Sequence, residues 1–538
     1  MIMGSLPGPD AGNHQIWTAE IIGEWYPRPT TALTFSFARR VLKSHFSNLL
    51  KAFGADTQCL QGLSRPLIGR LGGHLYLNSN SLEAILSALP KPGLGSYKSF
   101  WQRSSEDARS TWKLFNSTTL GQEGQREFKS KYQQIRALDF ASLQLHELLL
   151  LYGKIEELFE QWAAPPVTDF CFAAGYEYLL QMLKQGGHEK PEFLLGDLLC
   201  GEQLPSLEPL QILAELAQKL KEDDKLCVFL EEASLDELVS WWKEQSAPFF
   251  VEREIGRILH LYGCRRPNEL ELSTPTLSTS PRYLFAMLKR YLARDEVPCL
   301  LKLRQKSLDR RCRAEHEVQR LLGDKRSSLL LKKGTIFNWL LSKTRENLLL
   351  RDEQRLARAN LIGLTGDLFR AIGHKLIEEN VLVAEDDVHN ITIEELIDFL
   401  NGSSASLNLS ALAAIRRDEF AEFTELALYK KIETYGLLYH QERDFFARPE
   451  ATGLKGCCGQ GGSAGCVVGQ VLTVDESGKG WLSVGDVLVL DKPDIGYTYI
   501  YPTLKAVVYL RGRKMSHGAF IARELGLTVV YDTLEELR

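Results

Sequence analysis

Along most of this chain, apolar positions recur at the three-to-four spacing of amphipathic helices. Residues 16–446 are dominated by this pattern, with long stretches at 141–162, 207–222, 280–294, 345–380 and 408–437. Helix starts are marked by a hydroxyl or amide residue followed three positions later by glutamate: Asn80 with Glu83, Ser234 with Glu237, and Thr392 with Glu395. At 450–465 the chain becomes glycine-rich, the composition of a flexible connector. Beyond it the period changes. Short apolar runs at 466–474, 486–491 and 505–510 read as strands separated by turns, and from Ser516 a helical pattern places Ala519, Ala522 and Leu525 along one side. No internal repeat is evident.

The pattern predicts a multidomain chain in which a large, mainly α-helical domain precedes a small α/β domain. The boundaries drawn are a flexible tail at 1–15, a helical domain at 16–446, a glycine-rich linker at 447–461 and the small domain at 462–538. The chain has 538 residues, 44% hydrophobic and 25% charged, with a formal net charge of −5. That charge balance does not point to bulk nucleic-acid binding, and the Arg- and Lys-rich stretch at 302–326 reads as a solvated helix face. No signal peptide and no apolar run of membrane-spanning length is seen, so a cytoplasmic protein without membrane contact is expected. The ten cysteines are scattered and read as free thiols. Cys457-Cys458 with Cys466 lacks the spacings of a zinc site, and no metal ligand set is assigned.

The candidate chemistry lies in Gly512-Arg513-Lys514-Met515-Ser516-His517-Gly518-Ala519-Phe520-Ile521-Ala522-Arg523-Glu524-Leu525-Gly526. His517 falls in or next to the first turn of a helix, where unpaired backbone N–H groups and the helix dipole favour an anion. An imidazole titrates near neutrality, so its neutral form is available as a nucleophile. Gly512 and Gly518 leave room for a bulky anion to approach.

This segment resembles the phosphohistidine swivelling domain of the PEP-utilising enzymes, among them PEP synthase, pyruvate phosphate dikinase and rifampin phosphotransferase. Gly462-Ser463-Ala464-Gly465 and Val484-Gly485-Asp486-Val487-Leu488-Val489 resemble that domain's opening and strand entry. The helical region carries similar echoes in Gly23-Glu24-Trp25-Tyr26-Pro27-Arg28-Pro29-Thr30-Thr31-Ala32-Leu33-Thr34, Gly73-His74-Leu75-Tyr76-Leu77-Asn78, Gly263-Cys264-Arg265-Arg266-Pro267-Asn268-Glu269-Leu270-Glu271-Leu272, Arg345-Glu346-Asn347 and Glu385-Asp386-Asp387-Val388. The sequence departs from the family pattern at Arg513, Leu510, Cys264, Leu277 and Thr279, and the small domain is C-terminally short.

The resemblance implies a phosphotransferase in which His517 carries a phosphoryl group as a covalent intermediate. It implies phosphate stabilisation by Ser516, Gly512, Gly518, Arg523, Arg513 and Lys514, with bracing of Glu524 or the domain face as the alternative reading for Arg523. It implies an acceptor pocket drawn from Arg265, Glu269, Glu271, Arg345 and Glu346, for which a helix-packing ion network is the competing reading. The order of segments is that of rifampin phosphotransferase-like enzymes, and no Gly-rich phosphate loop stands ahead of the helical region. ATP and Mg2+ are therefore expected on a separate ATP-grasp partner, with this chain as the substrate and carrier half of a split enzyme acting on a small-molecule acceptor. The alternative is a non-catalytic ligand-binding or regulatory homologue with a vestigial histidine.

Overall fold

The computed structural model describes residues 14–19, 22–26, 28–52, 67–88, 118–162, 164–266, 268–294, 296–323, 328–424, 426, 429, 431–435, 459–473, 486–490, 493, 495–510 and 516–531. The helices used below are α1 (Ala32–Ala52), α2 (Leu145–Gln161), α3 (Ala164–Gln185), α4 (Pro191–Leu198), α5 (Glu208–Leu220), α6 (Arg282–Leu292), α7 (Leu300–Gly323), α8 (Ser328–Glu378) and α9 (His517–Glu524). The predicted stretches at 141–162, 207–222, 280–294 and 345–380 correspond to α2, α5, α6 and the second part of α8. The 51 residues of α8 extend about 75 Å. Ser234 and Thr392 cap their helices with Glu237 and Glu395, as the spacing predicts. The helix at Ser79–Ala88 begins two residues earlier than a cap at Asn80 places it, because the Asn78 side chain accepts from the Ser81 amide at 3.1 Å.

The helical region also holds a sheet that the periodicity did not reveal. Strands β1 (His14–Thr18), β2 (Ile68–Leu71), β3 (His74–Asn78) and β4 (Lys431–Tyr435) form four antiparallel strands in the order β2-β3-β1-β4. These runs of four or five residues are too short to outweigh the helical signal around them. Gly72 and Gly73, both at positive φ, make the two-residue turn between β2 and β3. β1 begins inside the predicted tail, since pairing with β4 buries Trp17, whose Nε1 donates to Thr434 Oγ1 at 3.1 Å. The predicted helix at 408–437 ends at Phe423, and its last part is β4.

The C-terminal sheet has five strands in the order β5-β9-β8-β7-β6: β5 (Gln460–Gly461), β6 (Val471–Thr473), β7 (Val487–Leu490), β8 (Ala506–Tyr509) and β9 (Thr528–Tyr531). β6 to β9 run parallel in sequence order, and β5 pairs antiparallel with β9. The parallel step from β8 to β9 requires a crossover, and α9 supplies it. Most of the predicted linker, including Cys457 and Cys458, lies outside the described residues.

The sheet domain rests against the helical body. One apolar cluster runs from Leu288, Tyr291 and Leu292 of α6 into Tyr499, Ile500 and Tyr501, which lie on a buried 3-10 helix (Ile495–Thr503). Tyr291 Oη donates to the Tyr499 carbonyl at 3.0 Å, and Arg290 Nε to Thr503 Oγ1 at 2.7 Å. α7 is not simply a solvated basic face. Arg310 donates to the Arg523 carbonyl at 2.6 Å, and Ser307 Oγ to the Glu524 carbonyl at 2.6 Å, which covers the open carbonyls at the end of α9.

Candidate active site

α9 opens on His517 because Ser516, in an extended conformation, starts the helix and the preceding strand ends on the same side of the sheet. Gly518 permits close approach of the helix to the sheet: a Cβ there would stand 3.1 Å from Tyr509 Oη and 3.3 Å from Tyr501 Oη, which hydrogen-bond each other at 2.7 Å. The two tyrosines fill the space beneath Gly518. Gly526, at φ +73°, ends the helix in the left-handed conformation that glycine adopts freely.

His517 points into the helical body and is 5% exposed. Its Nε2 lies 3.0 Å from Asp352 Oδ1 on α8. Asp352 is also held by Ser206, whose Oγ donates to the same Oδ1 at 2.7 Å and whose backbone N–H donates to Oδ2 at 2.9 Å. Burial pushes the Asp352 carboxyl up, against the Ser206 hydrogen bonds and the charges of Arg265 and Arg355. Burial also pushes the His517 imidazole well below its usual range, and Arg355, Arg351 and Arg265 push the same way. The histidine is therefore neutral where it rests.

Three guanidiniums thus act on a neutral imidazole. Arg351 Nε donates to Asp169 Oδ1 at 2.6 Å, and Arg355 lies 3.8 Å from the same oxygen. Burial alone would raise the Asp169 carboxyl, but Arg355, Arg351 and Arg358 overcome it and hold the group below its usual range. Burial, followed by Arg351, pushes Arg355 down to about 9, and it stays charged at neutral pH. Arg265 pairs with Glu269, Nε to Oε1 at 2.6 Å, and lies over the Tyr499 ring at 5.2 Å. Among the described residues, Ser516 Oγ, Arg265 Nη1 and Arg355 Nε are among the buried polar atoms that meet no hydrogen-bond partner, and these three belong to the residues of this site. Buried donors are rarely left so, and these three suit an anion with several acceptor oxygens.

The other sequence-predicted residues fall in different places. Arg523 lies on the side of α9 that meets α4. Its guanidinium stacks on Phe520 at 4.8 Å, and a Cβ at Gly196 would come 3.3 Å from its Nη1. Glu271 accepts from Thr31 Oγ1 at 2.9 Å and Thr34 Oγ1 at 2.6 Å, tying down the first turn of α1. Arg345 and Glu346 stand on α8 about 10 Å before Asp352 and line a separate cleft. Gly512, Arg513 and Lys514 lie outside the described residues. Asp352, Arg351, Arg355, Asp169 and Ser206 were not singled out in the sequence. Arg351, Asp352, Arg355 and Arg358 recur at helical spacing within an amphipathic stretch, the one signal that marked them.

The site thus lies where a buried histidine of a small α/β domain enters a helical body. Comparison with known sequences agrees. Residues 482–537 match the PEP-utilising enzyme mobile domain, and residues 169–352 match the rifampicin phosphotransferase fourth domain. In these two segments the chain is similar to the PEP-utilising enzymes. It is 23% identical over 305 residues to a rifampicin phosphotransferase of Bacillus cereus, an alignment covering 56% of this chain and 33% of that protein. It is 27% identical over 158 residues to that of Bacillus subtilis, covering 29% and 17%, and 29% identical over 187 residues to an uncharacterised protein of Mycobacterium tuberculosis, covering 34% and 20%. The chain therefore aligns with a third or less of the length of each of these relatives. Among the described residues, no helix is long and apolar enough to cross a membrane.

Proposed function

We propose that this chain is the carrier and acceptor part of an ATP-dependent phosphotransferase. His517 takes a phosphoryl group while the small domain engages an ATP-grasp nucleotide domain outside these 538 residues, which holds ATP and Mg2+. The domain then returns to the helical body, and the group passes to a small-molecule hydroxyl. In that step the P–N bond to His517 breaks as a P–O bond forms, and the hydroxyl proton moves to Asp352, whose raised pKa suits it as acceptor. Arg265, Arg355 and Ser516 take the phosphoryl oxygens, and Arg351 and Asp169 hold the guanidiniums in place. The observation that carries this reading is the set of buried, unmatched donors around a neutral histidine.

The test is to incubate the chain, alone and with a candidate ATP-grasp partner, with β- and γ-labelled ATP, using His517→Ala as control. Acid-labile, base-stable label that needs the partner and disappears in the variant is expected. Absence of such label with every ATP-grasp partner tried would overturn the reading.

A further inference from the structure

A cleft of about 470 Å³ opens between the end of α4, α7 and α8. Its volume falls in the range of small-molecule sites, roughly 300–1,000 Å³. Leu198, Val318, Phe337, Leu341 and Leu349 make its floor. Two arginines and two carboxylates cross its mouth. Arg311 reaches Glu202 at 2.8 Å and Glu315 at 3.1 Å, and Arg345 reaches Glu315 at 2.8 Å and Glu202 at 4.0 Å. Glu315 serves both arginines through a single oxygen, Oε1, and its side chain is 38% exposed.

The quartet is charge-balanced, since Glu346, the third carboxylate lining the cleft, is paired with Lys343 at 2.7 Å, and this limits what can enter. A lone anion must displace Glu315 and leave that carboxylate without its partners. A lone cation would compete with two guanidiniums for the same carboxylates. Either leaves a partly buried charge uncompensated, which is costly. A zwitterion exchanges ion pair for ion pair and leaves the balance intact. The apolar floor then accepts a side chain.

We propose that this cleft binds a small zwitterion with an apolar side chain, of the amino-acid class. Its carboxylate lies on Arg311 and Arg345, its ammonium on Glu315 and Glu202, and its side chain on Phe337 and Leu341. The site is independent of the phosphotransfer reading, but the two places share a wall. Gly201, next to Glu202, donates its N–H to the Glu524 carboxylate of the carrier helix at 2.9 Å, and Phe520 packs in the same cluster as Leu198, Phe337 and Leu341.

The test is calorimetric titration of the full chain with L-phenylalanine, L-leucine, 3-phenylpropanoate and 2-phenylethylamine. At least one of the amino acids is expected to bind. Both single-charge analogues should bind about tenfold or more weakly than phenylalanine, a gap of about 1.4 kcal/mol or more. Glu315→Gln, at a half-exposed position, is expected to weaken the amino acids and strengthen 3-phenylpropanoate, because the mouth then carries a net positive charge. A thermal melt of the variant shows that the fold is kept. Binding of neither amino acid at about 10 mM, equal binding of phenylalanine and its analogues, or indifference to Glu315→Gln would overturn the proposal.

Discussion

His517 Nε2 stands 3.0 Å from Asp352 Oδ1, and the two side chains are 4% and 1% exposed. The contact joins two domains whose residues lie far apart in sequence, and Ser206 orients the carboxylate by bonding both of its oxygens. Asp352→Asn keeps the size of the side chain and removes its capacity to take a proton. Transfer to the acceptor is expected to slow about 10²- to 10⁴-fold. In the proposed cycle His517 is loaded from ATP away from α8, so loading should be unchanged. Pulse-labelled phosphohistidine in the variant should persist when acceptor is added. Discharge at the wild-type rate would show that Asp352 has no part in the transfer.

The docked state should respond to pH through two groups of opposite sign. His517 is pushed well below its ordinary 6.5 by burial and three arginines. Its contribution to docking is complete above about 6.5 and is lost as pH falls below that value. Glu524 is pushed up from 4.5 to about 7 by burial, against the Gly201 hydrogen bond and Arg310. It takes up a proton on docking, so its contribution is greatest at low pH and declines as pH rises from 4.5 to about 7. Between 4.5 and 6.5 the two slopes oppose, and a carrier-to-body distance probe should show little change in the wild type. In Glu524→Gln docking should strengthen with rising pH, and in His517→Gln it should weaken. Variants that both retain the wild-type profile would remove these groups from the docking equilibrium.

Much of this was legible in the sequence, and what was not has a physical reason. α9, its histidine and the parallel strands around it are encoded locally, in a turn, a helix start and an apolar period. The strand order follows from β8, α9 and β9 lying consecutively along the chain. Asp352 and Arg355 lie on a long helix whose charges, read alone, fit a solvated face as well as a buried one. Only the arrival of His517 from a residue 165 positions later makes that face a site. Arg345 and Glu346 stand on the same helix two turns before Asp352, and the sequence gives no means of telling the two sets apart. The N-terminal sheet was missed because β1 and β4 find each other across more than 400 residues, and each is too short to show a period.

Arg265 and Glu269 are both almost fully buried, so their pair serves structure as well as chemistry. Glu269→Ala leaves the guanidinium uncompensated and is expected to destabilise the helical body by about 3–5 kcal/mol. Arg265→Met combined with Glu269→Leu removes both charges while keeping volume, and should recover most of that loss. If Arg265 also receives the phosphoryl group, the double variant will be folded yet slow in transfer. Denaturant titration gives the stability, and discharge of labelled His517 gives the rate. A double variant with wild-type discharge would assign Arg265 to packing alone.

Phe520 anchors the carrier helix to the body. It is 4% exposed, meets Phe172 of α3 edge-to-face at 5.4 Å between ring centres, and is the one residue of the small domain among the buried members described for a cluster otherwise drawn from the helical body. Its contacts are therefore made across the domain junction, and its removal should weaken docking while sparing the sheet. Phe520→Ala is expected to cost about 3–5 kcal/mol, taken largely from the docked state. The amide of Gly201, which donates to Glu524 across the domain junction, should then exchange with solvent faster by a factor that follows from that loss. The amides of β8 and β9 should keep their protection, since those strands pair within the small domain. Loading from ATP should persist and transfer to the acceptor should fall. An unchanged Gly201 exchange rate would show that the apolar contact of Phe520 does not hold the domain in place.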